Sequence, residues 1–380
     1  MTAPPPLASD YGPRGRLTID RVMPSVAAAL GVPGFADEVG FPRASRYVVM
    51  VVDGLGQYLL DENRDAAPFL SSLTGVDGVV CGVPSTTSTS LTSLSTGLRV
   101  GGHGMAGYTC RVPETGRRMN LLVWDQPVEP ELWQPHRSVL AQVAELGVAA
   151  DVVNDAKFSE SGLTRCTHRG VPYHGVNSTW ERLDVLVEVV ESAPHCLAYA
   201  YDARLDHKGH AEGCDSDAWR ETLQAVDSDI ERIHEALPDD TVLVVTADHG
   251  MIDLPAEGRF DVDAIVGLRD GVDLIAGEAR FRHLYVATGA ADDVLARWRE
   301  AVGERAVVER PENLVDWFGP ISPAVRGRIG DVVVAAVGQF AVFSSADFPQ
   351  EQSLSGFHGS VDEAELLIPL LIAAGNRMAG

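Results

Sequence analysis

"RYVVMVVDGLG", residues 46–56, is a continuous apolar run, rich in valine, that halts at Asp53-Gly54. A run with no polar alternation is the pattern of a strand covered on both faces. Three further runs resemble it: "ADVVND" (150–155), "HCLAYAYD" (195–202) and "TVLVVTADHG" (241–250). Helical patterns separate them, among them "SVLAQVAEL" (138–146) and "SDAWRETLQAVDSDIERIHEAL" (216–237). Strand alternating with helix predicts an α/β fold with a mostly parallel central sheet flanked by helices.

Acidic residues stand at the carboxyl ends of three of these strands: Asp53, Asp202 and Asp248. In open α/β sheets that edge is where ligands bind, although a single aspartate there is equally a loop residue or a helix N-cap. The chain changes character between about residues 275 and 345. There "ARFRHLYVAT", the helical "ADDVLARWREAV", "GDVVVAAVG" and "FAVFSS" follow one another. This predicts a small α+β cap subdomain inserted into a catalytic domain made of residues 1–274 and 346–380.

Composition bounds the function. A chain of 380 residues, 45% hydrophobic, can bury a large core, as one large domain or two ordinary ones. A net charge of −24 excludes a general affinity for nucleic-acid polymers or anionic membrane, because such binders need a basic footprint. The only lysines are Lys157 and Lys208, so charge to meet an anionic substrate must come from arginine or bound metal. Five scattered cysteines without CxxC spacing fit reduced thiols in a cytoplasm. The leader "TAPPPLASDYGPRG" does not read as a signal peptide, and "LLIPLLIAAG" is about half the ~20 residues a membrane helix needs.

The stretch "VPSTTSTSLTSLSTG" (83–97) is dense in serine and threonine. Leu91, Leu94 and Leu98 recur at helical spacing and Gly97 is placed to stop the turn, so its second half predicts a short helix. "VPSTTS" is then the turn into that helix, where free backbone N–H groups favour an anion. Its hydroxyls either cap the helix or do chemistry. Elsewhere, "DARLDHKGH" (202–210) puts Asp206 and His210 on one helical face, "TADHG" (246–250) places Asp248 and His249 just after a strand, and "SGFHGS" (355–360) sets His358 between glycines. With Asp53 these make three aspartates and three histidines, an O/N set suited to divalent zinc. The remaining histidines (His103, His136, His168, His174, His195, His207, His234 and His283) read as surface or loop-bracing residues.

The order "VVDGLG", "VPSTTSTSLTSLSTG", "HGMAGY", "DARLDHKGH", "TADHG", "FHG" resembles the alkaline phosphatase superfamily, in particular its nucleotide pyrophosphatase/phosphodiesterase branch, from about Arg46 to Leu371. That family's nucleophile is a threonine three residues after a proline and nine before the threonine of a TG pair; Pro84 and Thr96-Gly97 point to Thr87. The resemblance implies two metal sites, one of Asp206, His210 and His358, the other of Asp53, Asp248, His249 and Thr87. It implies zinc as the metal, with manganese or iron as alternatives, and a phospho-threonine intermediate in the cleavage of a phosphodiester or nucleotide pyrophosphate bond. It implies a small phosphate ester as the substrate. Tyr201 matches a family tyrosine that stacks on an organic group of the substrate, and Tyr108 stands where the family often has a phosphate-binding asparagine. The chain also departs from the family in following the nucleophile with Ser88, Thr89, Ser90 and Leu91 instead of Phe-Pro-Asn-His.

A phosphonate hydrolase or phosphomonoesterase of the same superfamily is the alternative, and a catalytically silent metal- or partner-binding relative the alternative of another class. A sulfatase needs a CxPxR context, and "CGVPS" (81–85) has its proline one place late and no arginine. A cofactor-independent phosphomutase needs a serine nucleophile and a larger insertion.

Overall fold

The computed structural model describes residues 6–375. Five strands form the parallel part of its central sheet: β1 (Arg46–Val52), β2 (Ala149–Asp155), β3 (Tyr173–Val176), β4 (Cys196–Asp202) and β5 (Thr241–Thr246). Their spatial order is β5-β1-β4-β2-β3, with every neighbouring pair parallel. All seven residues of β4, all six of β5 and all but the first of β1 are buried, as their unbroken apolar runs require. The C-terminal apolar stretch is neither loop nor membrane segment. Leu370–Ala374 pairs antiparallel with β5 and carries the two-residue strand Thr74–Gly75 at the sheet edge. Among the described residues, no helix is long and apolar enough to cross a membrane.

Between β5 and that last strand the chain builds a second, antiparallel sheet from β6 (Val272–Glu278), β7 (Phe281–Val286), β8 (Ala306–Glu309) and β9 (Val332–Ala336), in the order β6-β7-β9-β8. The segment expected at 275–345 falls across this sheet, whose first strand opens at Val272. Alternation along the strands sends the two faces to different cores. Leu284, Val332 and Val334 pack with Val294, Trp298 and Val302 of helix Ala291–Val302. Phe281, Val333 and Ala335 join the core of the main sheet. The cap is thereby fused to the main sheet, and the tip of its β6–β7 hairpin is held beside the carboxyl edge of the parallel strands.

Candidate active site

Each candidate ligand stands just beyond the end of a buried strand or on a segment laced to one. Asp53 follows β1, and Asp206 and His210 lie on helix Arg204–Glu212, which follows β4. Asp248 and His249 follow β5. His358 follows the short strand Gly356–Phe357, which pairs with Ile252–Asp253 and so returns the C-terminal loop to the β5 loop. A bridge between Ser85 and Gly359, reinforced by Ser85 Oγ donating to Ser360 O at 2.8 Å, fastens the same loop to the turn before Thr87. Gly54 must be glycine. Its φ is +75°, and an added Cβ would lie 3.1 Å from the Asp206 backbone.

Two groups of ligand atoms result, each within 4.8 Å of one another: Asp206, His210 and His358 in one, Asp53, Asp248 and His249 in the other. Hydrogen bonding sets the tautomers in the first. His210 Nδ1 donates to Gly356 O at 2.9 Å and His358 Nδ1 to Ser85 O at 3.0 Å. Both Nε2 atoms therefore carry lone pairs, yet they face one another at 3.1 Å, with Asp206 Oδ1 3.4 and 3.8 Å away. In the second group His249 Nδ1 donates to Gly250 O, which turns the Nε2 lone pair toward Asp53 Oδ1 at 3.3 Å and Asp248 Oδ2 at 3.6 Å. The His249 and His358 rings stack at 3.8 Å, so the groups are immediate neighbours.

Converging acceptors with no donor between them repel unless a cation joins them. Asp53 Oδ1, Asp206 Oδ1 and Asp248 Oδ2 are all buried without a hydrogen-bond partner. Burial, then the charges of Asp248 and Asp206, pushes the Asp53 carboxyl well above the usual carboxylate range. Burial likewise raises Asp248 and, with His249 and His210 beside it, depresses His358 well below the usual imidazole range. The donor set fits two divalent ions of borderline softness.

The hydroxyl-rich stretch is a buried helix that starts earlier than its leucine spacing indicates, running Thr87–Thr96 with Thr86 at the N-cap and Gly97, at φ +69°, ending it. Most of its hydroxyls are committed to the protein. Ser88 donates to Gly107 O, Thr89 to Met105 O, Thr92 to Ser88 O and Thr96 to Thr92 O, all at 2.7–2.8 Å. Thr87 differs. Its Oγ1 has one contact, His249 Nε2 at 3.3 Å, in the second ligand group. The residue is buried, at 8% exposure.

Two cavities meet at Thr87. The smaller, about 140 Å³, is walled by Leu91, Phe158, Tyr199 and Tyr201. The larger, about 400 Å³, is walled by Tyr108, Phe357, Glu278 and Glu351. Leu122, Asp206 and His207 border both. Tyr201 is tied down by its hydroxyl, which donates to Asp53 Oδ2, so it braces a ligand as well as lining the cavity. Arg204 is held away in pairs with Asp202 and Asp229.

Loop bracing describes His103, bonded to Ser93 and Met105, and His283, bonded to Ala106 and Gly330. It does not describe His207, which is exposed at the mouth of both cavities. Sequence reasoning also misses Glu278, which arrives from the cap hairpin. Only the folded topology brings it to Thr86 and within 3.4 Å of His358 Nδ1.

A parallel sheet bearing two adjacent Asp/His groups at its carboxyl edge, beside a threonine whose hydroxyl meets one of them, fits the nucleotide pyrophosphatase/phosphodiesterase-like branch of the alkaline phosphatase superfamily. The family model for type I phosphodiesterase/nucleotide pyrophosphatase matches residues 47–361, and the chain belongs to that family. Among solved structures it is similar to murine ectonucleotide pyrophosphatase/phosphodiesterase 5 (TM-score 0.70, 17% identity, 86% of this chain and 87% of that one). The human protein of the same name gives a TM-score of 0.69 at 18% identity over the same shares. An inactive threonine-to-alanine variant of the murine protein, in complex with AMP, gives 0.71 at 17% identity, again over 86% and 87%. No curated protein matches the chain in sequence.

Proposed function

We propose that the chain is a two-metal phosphodiesterase of the nucleotide pyrophosphatase type, with Thr87 as nucleophile. One observation carries the reading: the Thr87 hydroxyl, free of the carbonyl bonds that occupy most of its helix, sits against one Asp/His group where two cavities meet. A phosphate with two organic substituents needs this layout, a reacting centre with a recess on either side. Asp206, His210 and His358 would hold one ion, and Asp53, Asp248, His249 and Thr87 the other. Bound there, divalent zinc supplies positive charge that acidifies the threonine hydroxyl and stabilises the departing oxygen.

The protein's own part is positional. The helix start fixes Thr87, the Nδ1 bonds of His210, His249 and His358 aim their Nε2 atoms inward, and Tyr201 orients Asp53. Thr87 Oγ1, its proton released to solvent, forms a bond to phosphorus as the ester P–O bond breaks, and the departing oxygen takes up a proton from water. Water then cleaves the phospho-threonine and restores the hydroxyl. The AMP complex of the murine relative supports a nucleotide-sized substituent in one cavity. The five buried, unpaired cysteines support a reducing compartment, the cytoplasm, as the setting.

Hydrolysis of bis-p-nitrophenyl phosphate, p-nitrophenyl phosphate and a p-nitrophenyl phosphonate at equal zinc tests the reading. The diester is expected to have the highest kcat/KM; a clear monoester or phosphonate preference overturns the assignment.

A further inference from the structure

The cap supplies no member of either ligand group, yet it takes hold of the loop that carries one of them. Ser360 stands two residues after His358, is 0% exposed, and has each of its polar atoms bound. Its carbonyl accepts from Ser85 Oγ at 2.8 Å and its N–H donates to Glu365 Oε1 at 3.0 Å. Its hydroxyl donates to the carbonyl of Ala336, the last residue of cap strand β9.

Glu365 is itself set from the cap. Arg280, at the tip of the β6–β7 hairpin, is fully buried and commits all five guanidinium N–H groups. Its Nε donates to Glu365 Oε1 at 3.2 Å, one terminal nitrogen to the Gly338 and Phe340 carbonyls, and the other to Asp362 Oδ2 at 2.9 Å and to Glu365 Oε2. A line of buried contacts thus runs from the hairpin tip, through Glu365 and Ser360, to the loop that aims His358 Nε2 at His210 and Asp206. Buried ion pairs add little net stability over apolar residues of the same size. What this pair adds is direction, because it fixes where the acceptor for Ser360 N–H stands, and outer hydrogen bonds of that kind orient metal ligands.

We propose that Arg280 and Glu365 are positioning residues through which the cap sets His358 and so completes the ion site of Asp206, His210 and His358. This rests on the two-metal reading and deepens it: the cap takes part in metal retention, and a cap that lets go of the loop loses one ion while the other stays.

The test uses the full chain carrying Arg280→Met and Glu365→Met together, which removes both charges at once and leaves Asp362 its bond from Gly338 N–H. Zinc calorimetry on chelator-stripped protein is expected to show two ions in the unmodified chain. In the double variant one ion binds as before and the other has its Kd raised about tenfold or more. Introduced into Asp206→Asn, which is expected to keep only the second ion, the double substitution leaves that ion's Kd unchanged. In metal-free protein, amide hydrogen exchange across residues 356–360 is expected to quicken about tenfold or more while β1, β4 and β5 keep their protection. Ser360→Ala loses only the bond to Ala336 O, should weaken the same ion about threefold, and serves if the double variant does not fold. Unchanged affinities in a folded variant, or equal weakening of both ions, overturn the proposal. If the unmodified chain takes up no zinc, the two-metal reading fails and hydrogen exchange decides alone: faster exchange of the loop supports the cap's hold on it, and unchanged exchange overturns it.

Discussion

Asp202 and Asp248 stand at the carboxyl ends of the two strands that flank β1, and both are buried, at 1% and 0% exposure. Burial does not distinguish them; their partners do. Asp202 accepts from Arg182 at 2.9 Å and from Arg204 at 2.6 Å, and those arginines reach on to Asp155 and Asp229. Asp248 Oδ2 has no donor, and around it stand Asp53, Asp206 and imidazole lone pairs. One strand end is a closed ion-pair network. The other is a set of acceptors that the protein alone does not satisfy, the condition that a bound cation would relieve.

The largest effect that can break this comparison lies at Thr87, the proposed nucleophile. Thr87→Ala is expected to lower kcat by about 10³-fold or more while leaving metal content and fold in place. Steady-state kinetics with metal analysis checks this, and an active Thr87→Ala beside a dead Thr86→Ala or Thr89→Ala shifts the nucleophile to that neighbour.

The same substitution at the two aspartates should then act with opposite sign. Asp202→Asn strips charge from a network in which Arg182 is buried, and is expected to cost about 3 kcal/mol of stability in denaturant unfolding with no change in bound metal. Asp248→Asn removes one of several repelling carboxylates. In chelator-treated protein it should leave stability unchanged or raise it by about 1 kcal/mol, and it should abolish stabilisation by added zinc. Equal losses at both positions would erase the distinction.

A smaller effect extends the contrast to imidazoles. Burial lowers His103 and His168 to about 3 and His283 to about 4 from the usual 6.5. Each is neutral in the fold, so the unfolded chain takes up the proton first. The stability is present above pH 6.5 and is lost as pH falls toward 4 for His283 and toward 3 for His103 and His168, by up to about 1.4 kcal/mol per unit for each group. Urea midpoints at pH 7 and pH 5 should show that loss in metal-free protein, and an invariant midpoint contradicts it.

How much of this was legible follows from the physics of each element. The four strands announced themselves because strands buried on both faces leave unbroken apolar runs, and the ligand residues because they cluster just beyond such runs. The separation of Asp202 from the ligands was not legible, since Arg182 lies on a different element and only packing brings it near. The commitment of the serine and threonine hydroxyls was equally hidden, because their acceptors at Met105 and Gly107 come from a loop with no motif of its own. Glu278 and His207 read as ordinary charged and polar residues until the cap hairpin and the helix after β4 place them on cavity walls.

The central claim is that the unsatisfied strand end holds two metal ions. Zinc titration of chelator-stripped protein by calorimetry, with metal counted by mass spectrometry after dialysis, tests it most directly. The account predicts two ions bound per chain, falling to one in Asp206→Asn and remaining two in Asp202→Asn. Full diesterase activity in the stripped protein, or no specific zinc uptake by the unmodified chain, would contradict it.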